Sequence, residues 1–389
     1  MTKARDLADF LGDNTSLGTI NDAYDAGTLV PSVTATNPSL IINGDMRIAQ
    51  RGTTSTSDEY QTVDRFRTSN GGLDEAVTQE HHALSSSDTG VWELGFRHSY
   101  KQTNGNQTSV GTSDRVTIQH RIEGQNIATS GWDYTSSSSD VTLSFWCKSS
   151  VAQNFYARLQ SYGGTQQAYT METGSLTANT WTKITKTISG SSAVAFNNDN
   201  NLGALLEFIM FRGTDSTGTR ALNVWEAYDT NVRAPNMDST WYTTNDATFE
   251  ITGVKLELGS EATDFQHISY AEEVKKCKRY YQQYGGGGTY HKFFMGGSYN
   301  STTATGHKYL DEPMRAVPTG SSTGNFDGGN GVSSSCTLSN MGGFVEADGS
   351  CRFMSIRANA TSPNWVAGYM IKVRAYNDIT SRIYFDAEL

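Results

Sequence analysis

The sequence predicts a mainly β protein, in which an antiparallel sandwich is followed by a short helix and a second, smaller C-terminal β-sandwich. Its 389 residues are enough for two or three domains. From Ser39 to about Phe265, short runs alternate between apolar and polar residues and are separated by clusters of Gly, Ser, Thr, Asn and Asp. No helical period lies between these runs, which favours antiparallel pairing over a parallel sheet.

The composition excludes several classes of protein. Charged residues make up 18% of the chain and aromatic residues 11%, and the formal net charge is −10. A disordered chain would carry more charge and fewer rings, so packed domains are expected. The negative charge disfavours nucleic acid and anionic membranes as partners. The most apolar run, residues 203–211, is interrupted at Glu207, and the N-terminus lacks the pattern of a secretory signal, so assembly in a cytoplasm is expected.

Residues 1–36 are predicted to be an anchor arm. Leu7, Phe10 and Leu11 form an apolar stripe on a short helix that ends at Gly12. A helix of this length is unstable alone in water, so its stripe needs a surface to dock on. We therefore expect the arm to insert into another protein, with a frayed terminus as the alternative.

Residues 37–268 are predicted to form the first sandwich. The run Val141–Cys147 directs Phe145 and its alternate neighbours to the core and leaves Trp146 on the opposite face. In the run Phe155–Gln160, the residues on that opposite face are Tyr156, Arg158 and Gln160. Aromatic rings beside planar polar groups are suited to sugars, so these four outward residues are a candidate carbohydrate groove. Further strand candidates are residues 116–122, 181–188, 204–211 and 249–258.

Residues 269–288 are predicted to be a helical neck with a glycine joint. Ser269 and Glu272 have the spacing of a capping box. The apolar residues that follow, at spacings of four, three, four and three, are Tyr270, Val274, Cys277, Tyr281 and Tyr284. This two-heptad seam predicts self-association through a helix from Ser269 to Tyr284, and a helix packed on its own sandwich is the alternative. Gly285–Gly288 is expected to be flexible.

Residues 289–389 are predicted to be the distal β domain. Strand candidates are residues 292–295, 351–356, 366–373 and 382–385, around glycine-rich segments at Gly320–Gly331 and Met341–Ser350. Loops on a rigid sandwich commonly carry recognition, so these segments, with Trp365 and Tyr369, form a second candidate binding end.

The metal-binding and redox residues follow no recognised pattern. The four cysteines lack the paired spacing of zinc or redox motifs, so free buried thiols are expected, with Cys336 to Cys351 the one pairing left open. The adjacent His81 and His82 would point to opposite faces of a strand. No metal and no cofactor are expected.

Several stretches resemble bacteriophage tail-fibre and related virion proteins. In chain order they are Ser39–Gly52, Val63–Phe66, Thr142–Trp146, Phe249–Gly259, Ala262–Phe265 and Glu272–Tyr281. The resemblance covers about the middle 240 residues. It implies a jelly-roll sandwich similar to carbohydrate-binding modules, then a helix and a distal domain, in a trimeric fibre on a virion. Such modules often hold one structural calcium, for which the matching positions here are Asp45 and Glu250, although acidic oxygens are not clustered at either.

The resulting functional prediction is a non-enzymatic structural virion protein. We expect a phage tail fibre that joins the particle through residues 1–36, trimerises, and recognises a host surface glycan through its distal part. One alternative is a head fibre or capsid decoration protein. A second is a tailspike-type hydrolase of surface polysaccharide, but no carboxylate pair is singled out by spacing. The carboxylates considered are Asp45, Asp64, Glu123, Glu207, Glu250 and Glu257.

Overall fold

The computed structural model describes residues 38–329 and 333–389, and the alternating runs form a sandwich of two six-stranded antiparallel sheets. The first sheet contains, in spatial order, β1 (Thr54–Ser55), β3 (Thr78–Ala83), β4 (His98–Thr103), β12 (Thr248–Leu258), β6 (Asp140–Ser149) and β9 (Thr182–Ser189). The second contains β11 (Trp225–Ala227), β8 (Gln167–Ser175), β7 (Asn154–Ser161), β10 (Leu202–Arg212), β5 (Arg115–Glu123) and β2 (Phe66–Gly71). The predicted fold class, a mainly β jelly-roll sandwich, is confirmed.

The inward residues of the two sheets form one core. Phe145 of β6 meets Phe208 of β10 edge to face, with ring centroids 4.9 Å apart. Phe155 of β7 meets Phe249 of β12 at 4.8 Å. All four rings are buried within the same apolar cluster. Period-two alternation therefore identified the core face of these strands correctly.

A short helix, α1 (Gly124–Ala128), follows β5. A long connection between β10 and β12, residues 213–247, carries a 3-10 turn (Thr214–Ser216), β11 and the helix α2 (Thr240–Thr243). Part of it folds over the outward face of the second sheet, where Ala234 packs with Tyr156 and Ile209 in a small separate cluster. Arg220 in the same connection donates to the backbone oxygens of Ala168 and Glu226. This face is therefore covered by protein along β7.

The distal strands differ from the second sandwich that the sequence predicts. Six strands close into a barrel, because β20 pairs with β14 on one side and with β17 on the other. The barrel order is β14 (Lys292–Ser298), β15 (Thr303–Met314), β19 (Cys351–Ala360), β18 (Ser333–Val345), β17 (Phe326–Gly329) and β20 (Met370–Ala375). A three-stranded sheet accompanies it, with β13 (Tyr281–Gly285), β21 (Arg382–Asp386) and β16 (Thr319–Thr323).

The predicted neck helix is shorter than expected. The helix α3 spans Tyr270–Lys278 and has the capping box between Ser269 and Glu272, but Tyr281 and Tyr284 lie in β13. Each pairs with a residue of β21, so backbone pairing with the end of the chain replaces the last helical turn. The side chains of Cys277 and Tyr281 are also buried in their own chain. The continuous seam through Tyr270, Val274, Cys277, Tyr281 and Tyr284 is therefore wrong, and the helix packs on its own chain.

The sandwich and the barrel lie in one compact unit that comprises residues 38–262 and 267–389. Arg65, which is 1% exposed, pairs with Glu388 and lies 3.4 Å from the ring of Tyr280. Arg279 donates two hydrogen bonds of 2.8 Å to Glu123. Gly285–Gly288 does not separate sandwich from barrel, because Gly285 is the last residue of β13 and the other three glycines lie in the connection from β13 to β14.

Three further expectations concern the arm, the cysteines and membranes. Residues 1–36, with Leu7, Phe10 and Leu11, lie outside the described residues. The four cysteines are free and buried, including Cys336 and Cys351. In the described part of the chain, no helix is both long and apolar enough to cross a membrane.

Candidate functional site

The groove predicted on the sandwich is not formed, because its residues are divided between the two sheets. Trp146 lies on β6 of the first sheet, whereas Tyr156, Arg158 and Gln160 lie on β7 of the second. Those three side chains do face outward, away from the main core, but the connection after β10 covers them. The hydroxyl of Tyr156 donates to the backbone oxygen of Pro235, and Tyr156 is only 4% exposed.

The two predicted binding residues of the distal domain, Trp365 and Tyr369, differ in exposure. Trp365 is 3% exposed, and its indole Nε1 donates to the backbone oxygen of Gly328 at 2.8 Å inside the barrel. Tyr369 is 60% exposed. Of the predicted distal aromatic residues, only Tyr369 therefore has its ring available to a ligand, and Trp365 acts as a core residue.

Beside the covered strip of the second sheet is a polar cleft of about 380 Å³, which we call the arginine cleft. Arg115 of β5 and Arg212 of β10 are direct partners across the two strands, and Arg233 arrives from the long connection. Three arginines and one aspartate, Asp215, give the described lining a formal charge of +2. The other lining residues are Ser69, Ser113, Gln119, Ser216 and Thr230.

Behind the cleft, a buried carboxylate fixes one of the arginines. Glu207 is fully buried and accepts a hydrogen bond of 2.7 Å from Arg212, one of 2.7 Å from Arg158 and one of 3.0 Å from Gln119. Burial alone would raise the pKa of Glu207, but the charges of Arg212 and Arg158 outweigh burial and hold the pKa below its ordinary value. Glu207 is therefore an ionised structural anchor for Arg212.

The other two arginines of the cleft do not donate to Glu207, although the charge of Arg233 also helps to lower the pKa of Glu207. Arg115 and Arg233 form no ion pair with a carboxylate of the described residues. Arg233 donates to the hydroxyl of Tyr228 and lies 5.3 Å from the centre of its ring. The Nε atoms of Arg212 and Arg233 are buried without an acceptor in the described part of the chain. Arg115 and Arg233 thus give the cleft positive charge that no ion pair of the described residues neutralises.

A second surface feature lies on the outside of the barrel and was not anticipated from the sequence. Tyr309 of β15 is opposite Phe353 of β19, and their ring centroids are 6.0 Å apart. Phe344 of β18 stacks on the other side of Phe353 at 5.2 Å. Tyr309 is 76% exposed and Phe344 57%, so these three rings form an exposed aromatic ladder across three neighbouring strands.

The carboxylates considered for catalysis are engaged by other side chains. Glu123 binds Arg279, Glu257 binds Lys255, and Glu250 binds Lys148. Asp45 pairs with Arg47, and Asp64 accepts from Gln50. In residues 38–329 and 333–389, no group of three or more His, Cys, Asp or Glu side chains could hold a metal ion. Asp45 and Glu250 therefore have cationic partners at the positions where the resemblance implies calcium.

Sequence reasoning missed both surface features for the same reason. Arg115 and Arg212 are nearly a hundred residues apart in the chain, and only the register of β5 against β10 brings them together. The ladder joins β15, β18 and β19, of which β18 lies in a segment rich in Gly, Ser and Thr. The available signal was the aromatic residues at Tyr309, Phe344 and Phe353, with no period to connect them.

No protein-family model matches the sequence, and a search of curated proteins finds no match. Solved structures with distant likeness include a putative sugar-binding protein from Bacteroides thetaiotaomicron, at 11% identity and a TM-score of 0.32, which covers 57% of this chain and 100% of that one. The N-terminal cellulose-binding domain of Cellulomonas fimi β-1,4-glucanase C has 11% identity and a TM-score of 0.26 over 56% of this chain and 99% of its own. The enzymatically active domain of bacteriophage CBA120 tailspike protein 4 has 9% identity and a TM-score of 0.27 over 57% of this chain, but only 21% of the tailspike chain is matched. At these values, the likenesses do not identify a function for this chain.

Proposed function

We propose that this chain is a non-enzymatic glycan-recognition protein of a virion fibre, and that the aromatic ladder of the barrel is its sugar contact. The observation that carries the proposal is the exposure of Tyr309 and Phe344 on either side of Phe353. Flat rings of this kind stack on the C–H faces of a pyranose, and exposed apolar clusters mark interaction surfaces. The resemblance to tail-fibre proteins supports the virion role and a homotrimer. We propose a tail fibre as the form of this protein, with a head fibre as the alternative.

The physical consequence is a weak single site. Stacked rings and a few hydrogen bonds contribute a few kcal/mol, so one barrel should bind sugar with a Kd of roughly 1 mM. Several copies on one particle would raise the effective affinity without any new contact. Attachment through residues 1–36 would place several barrels together.

The test uses the full chain and polysaccharide extracted from the host cell surface. Tyr309→Ala and Phe344→Ala should each reduce binding severalfold, whereas Tyr270→Ala, which removes an exposed tyrosine of α3, should not. Reducing ends released during the incubation are measured in parallel. Unchanged binding in both ladder variants would contradict the assigned surface, and released fragments would replace recognition with hydrolysis.

A further inference from the structure

We infer that the arginine cleft of the sandwich binds an acidic saccharide, at a site separate from the aromatic ladder. The inference goes beyond the proposed function, because it concerns the other half of the molecule and a different ligand chemistry. Two arginines of the cleft are placed unfavourably. Arg115 and Arg212 are directly opposite on β5 and β10, where like charges destabilise a pair of strands.

The described protein supplies only part of the charge that would relieve this repulsion. Glu207 is shared between Arg212 and Arg158, so one carboxylate serves two guanidinium groups. Asp215 accepts from the hydroxyl of Thr112 at 3.0 Å. Arg115 and Arg233 have no carboxylate partner in the described part of the chain. A cleft of formal charge +2 in a chain of net charge −10 concentrates anions locally.

The geometry of the donors points to a carboxylate. Guanidinium groups present paired N–H donors that match the two oxygens of a carboxylate, and such charge-assisted hydrogen bonds are stronger than neutral ones. Arg115 and Arg233 line the cleft and form no ion pair with a carboxylate in the described part of the chain, so a ligand carboxylate could pair with them.

The remaining lining residues indicate a polyhydroxylated ligand rather than a bare anion. Four hydroxyl side chains and the amide of Gln119 surround the arginines, and groups of this kind exchange hydrogen bonds with sugar hydroxyls. The volume of about 380 Å³ lies in the range of small-molecule sites and exceeds what a single inorganic ion needs. The ligand class is therefore a saccharide that carries a carboxylate, such as a uronic acid residue.

The experiment measures binding of a glucuronic acid oligosaccharide to the full chain by titration calorimetry. The neutral glucose oligosaccharide of the same length and inorganic phosphate are the comparison ligands. We expect the acidic oligosaccharide to bind at least about tenfold more tightly than either, and its affinity to fall as salt is raised. Equal binding of the acidic and neutral sugars would overturn the inference, and so would phosphate binding as tight as that of the acidic sugar.

Variants connect the binding to the cleft. Arg115→Gln and Arg233→Gln should each weaken it about tenfold, and neither substitution removes a hydrogen bond to Glu207. Lys183→Gln removes the same charge from an exposed position of β9 and should leave binding unchanged. Asp215→Asn removes the carboxylate from the described lining and should tighten binding. Affinities that do not differ between Arg115→Gln, Asp215→Asn and the unaltered chain would overturn the assignment.

The same titration separates this inference from the proposed function. Tyr309→Ala should bind the acidic oligosaccharide as tightly as the unaltered chain does, because the ladder is on the barrel. A loss of that binding in Tyr309→Ala, with none in Arg233→Gln, would move acidic sugar recognition to the ladder and overturn the cleft. Failure of the ladder variants to affect host polysaccharide would count against the proposed function alone.

Discussion

Outward-facing tyrosines are buried on the sandwich and exposed on the barrel. Tyr156, on the sandwich, is 4% exposed and bonded to a loop, whereas Tyr309, on the barrel, is 76% exposed. The long connection after β10 covers part of its own sheet along β7 and leaves a charged cleft beside it. The barrel strands are joined by shorter connections, and the rings of Tyr309 and Phe344 on its outer surface remain exposed. Charge therefore dominates the available chemistry of the sandwich, and ring stacking that of the barrel.

The two regions also differ in how they bury charge. In the sandwich, Glu207 and both of its arginine partners are almost completely buried. In the barrel, Asp327 is buried but its partner Arg374 has a side chain that is 25% exposed. Removing one member of a buried ion pair leaves an uncompensated charge, and partial exposure reduces that cost. Matched carboxylate-to-amide substitutions can test this contrast.

The largest expected effect comes from Glu207→Gln. It should lower the free energy of unfolding by about 3 kcal/mol at pH 7, because Arg158 and Arg212 lose their shared charge in a buried setting. The pKa of Glu207 is held below its ordinary value, so its contribution is fully present at neutral pH and is lost as the pH falls through the folded-state pKa. Asp327→Asn should cost less, about 1 kcal/mol. Denaturant unfolding followed by tryptophan fluorescence measures both, and an equal or larger loss in Asp327→Asn would contradict the contrast.

A second comparison uses the two tyrosines. Tyr156→Ala should destabilise the chain by about 3 kcal/mol, because it removes a buried ring and a hydrogen bond beneath the covering loop. Tyr309→Ala should change stability by less than about 0.5 kcal/mol, because its ring is exposed. Thermal unfolding measures the stability of both variants. Glycan binding is measured beside it, and we expect it to fall more in Tyr309→Ala than in Tyr156→Ala. Unchanged stability in Tyr156→Ala would mean that the contact between Tyr156 and Pro235 does not hold the long connection in place.

The sequence predicted the fold best where a strand has one core face. β6, β7, β10 and β12 match the predicted runs to within a few residues. β18 was missed because its many Ser and Gly residues give little hydrophobic contrast between its two faces, and β15 was missed because its charged residues and proline interrupt the alternation. The helix was extended too far because Tyr281 and Tyr284 fit a helical spacing, whereas pairing with β21 decided their conformation.

The candidate sites were predictable only in part. Alternation placed Tyr156, Arg158 and Gln160 on the correct face, but it contains no information about a covering loop more than fifty residues later in the chain. Trp146 was assigned to the same groove because alternation places it on the outward face of its strand, but alternation does not show that β6 and β7 belong to different sheets. The arginine cleft depends on strand register and on Arg233 of the long connection, and neither leaves a local signal.

A modest pH dependence of stability is expected from a pair of histidines in the sandwich. His81 and His98 stack with ring centroids 4.1 Å apart, and burial followed by the nearby His98 lowers the pKa of His81 to about 4. Burial also lowers the pKa of His98. In the unfolded chain a histidine takes up its proton near pH 6.5. Between pH 6.5 and 4 the unfolded state therefore binds more protons than the folded state, so stability falls as the pH falls through this window. Because His81 is partly exposed, we expect the free energy of unfolding to fall by about 1 kcal/mol between pH 7 and pH 5.

His81→Gln should flatten the dependence of the unfolding midpoint on pH, whereas His291→Gln, at an exposed position of the distal region, should leave it unchanged. An identical pH dependence in both variants would show that the sensitivity arises outside the stacked pair.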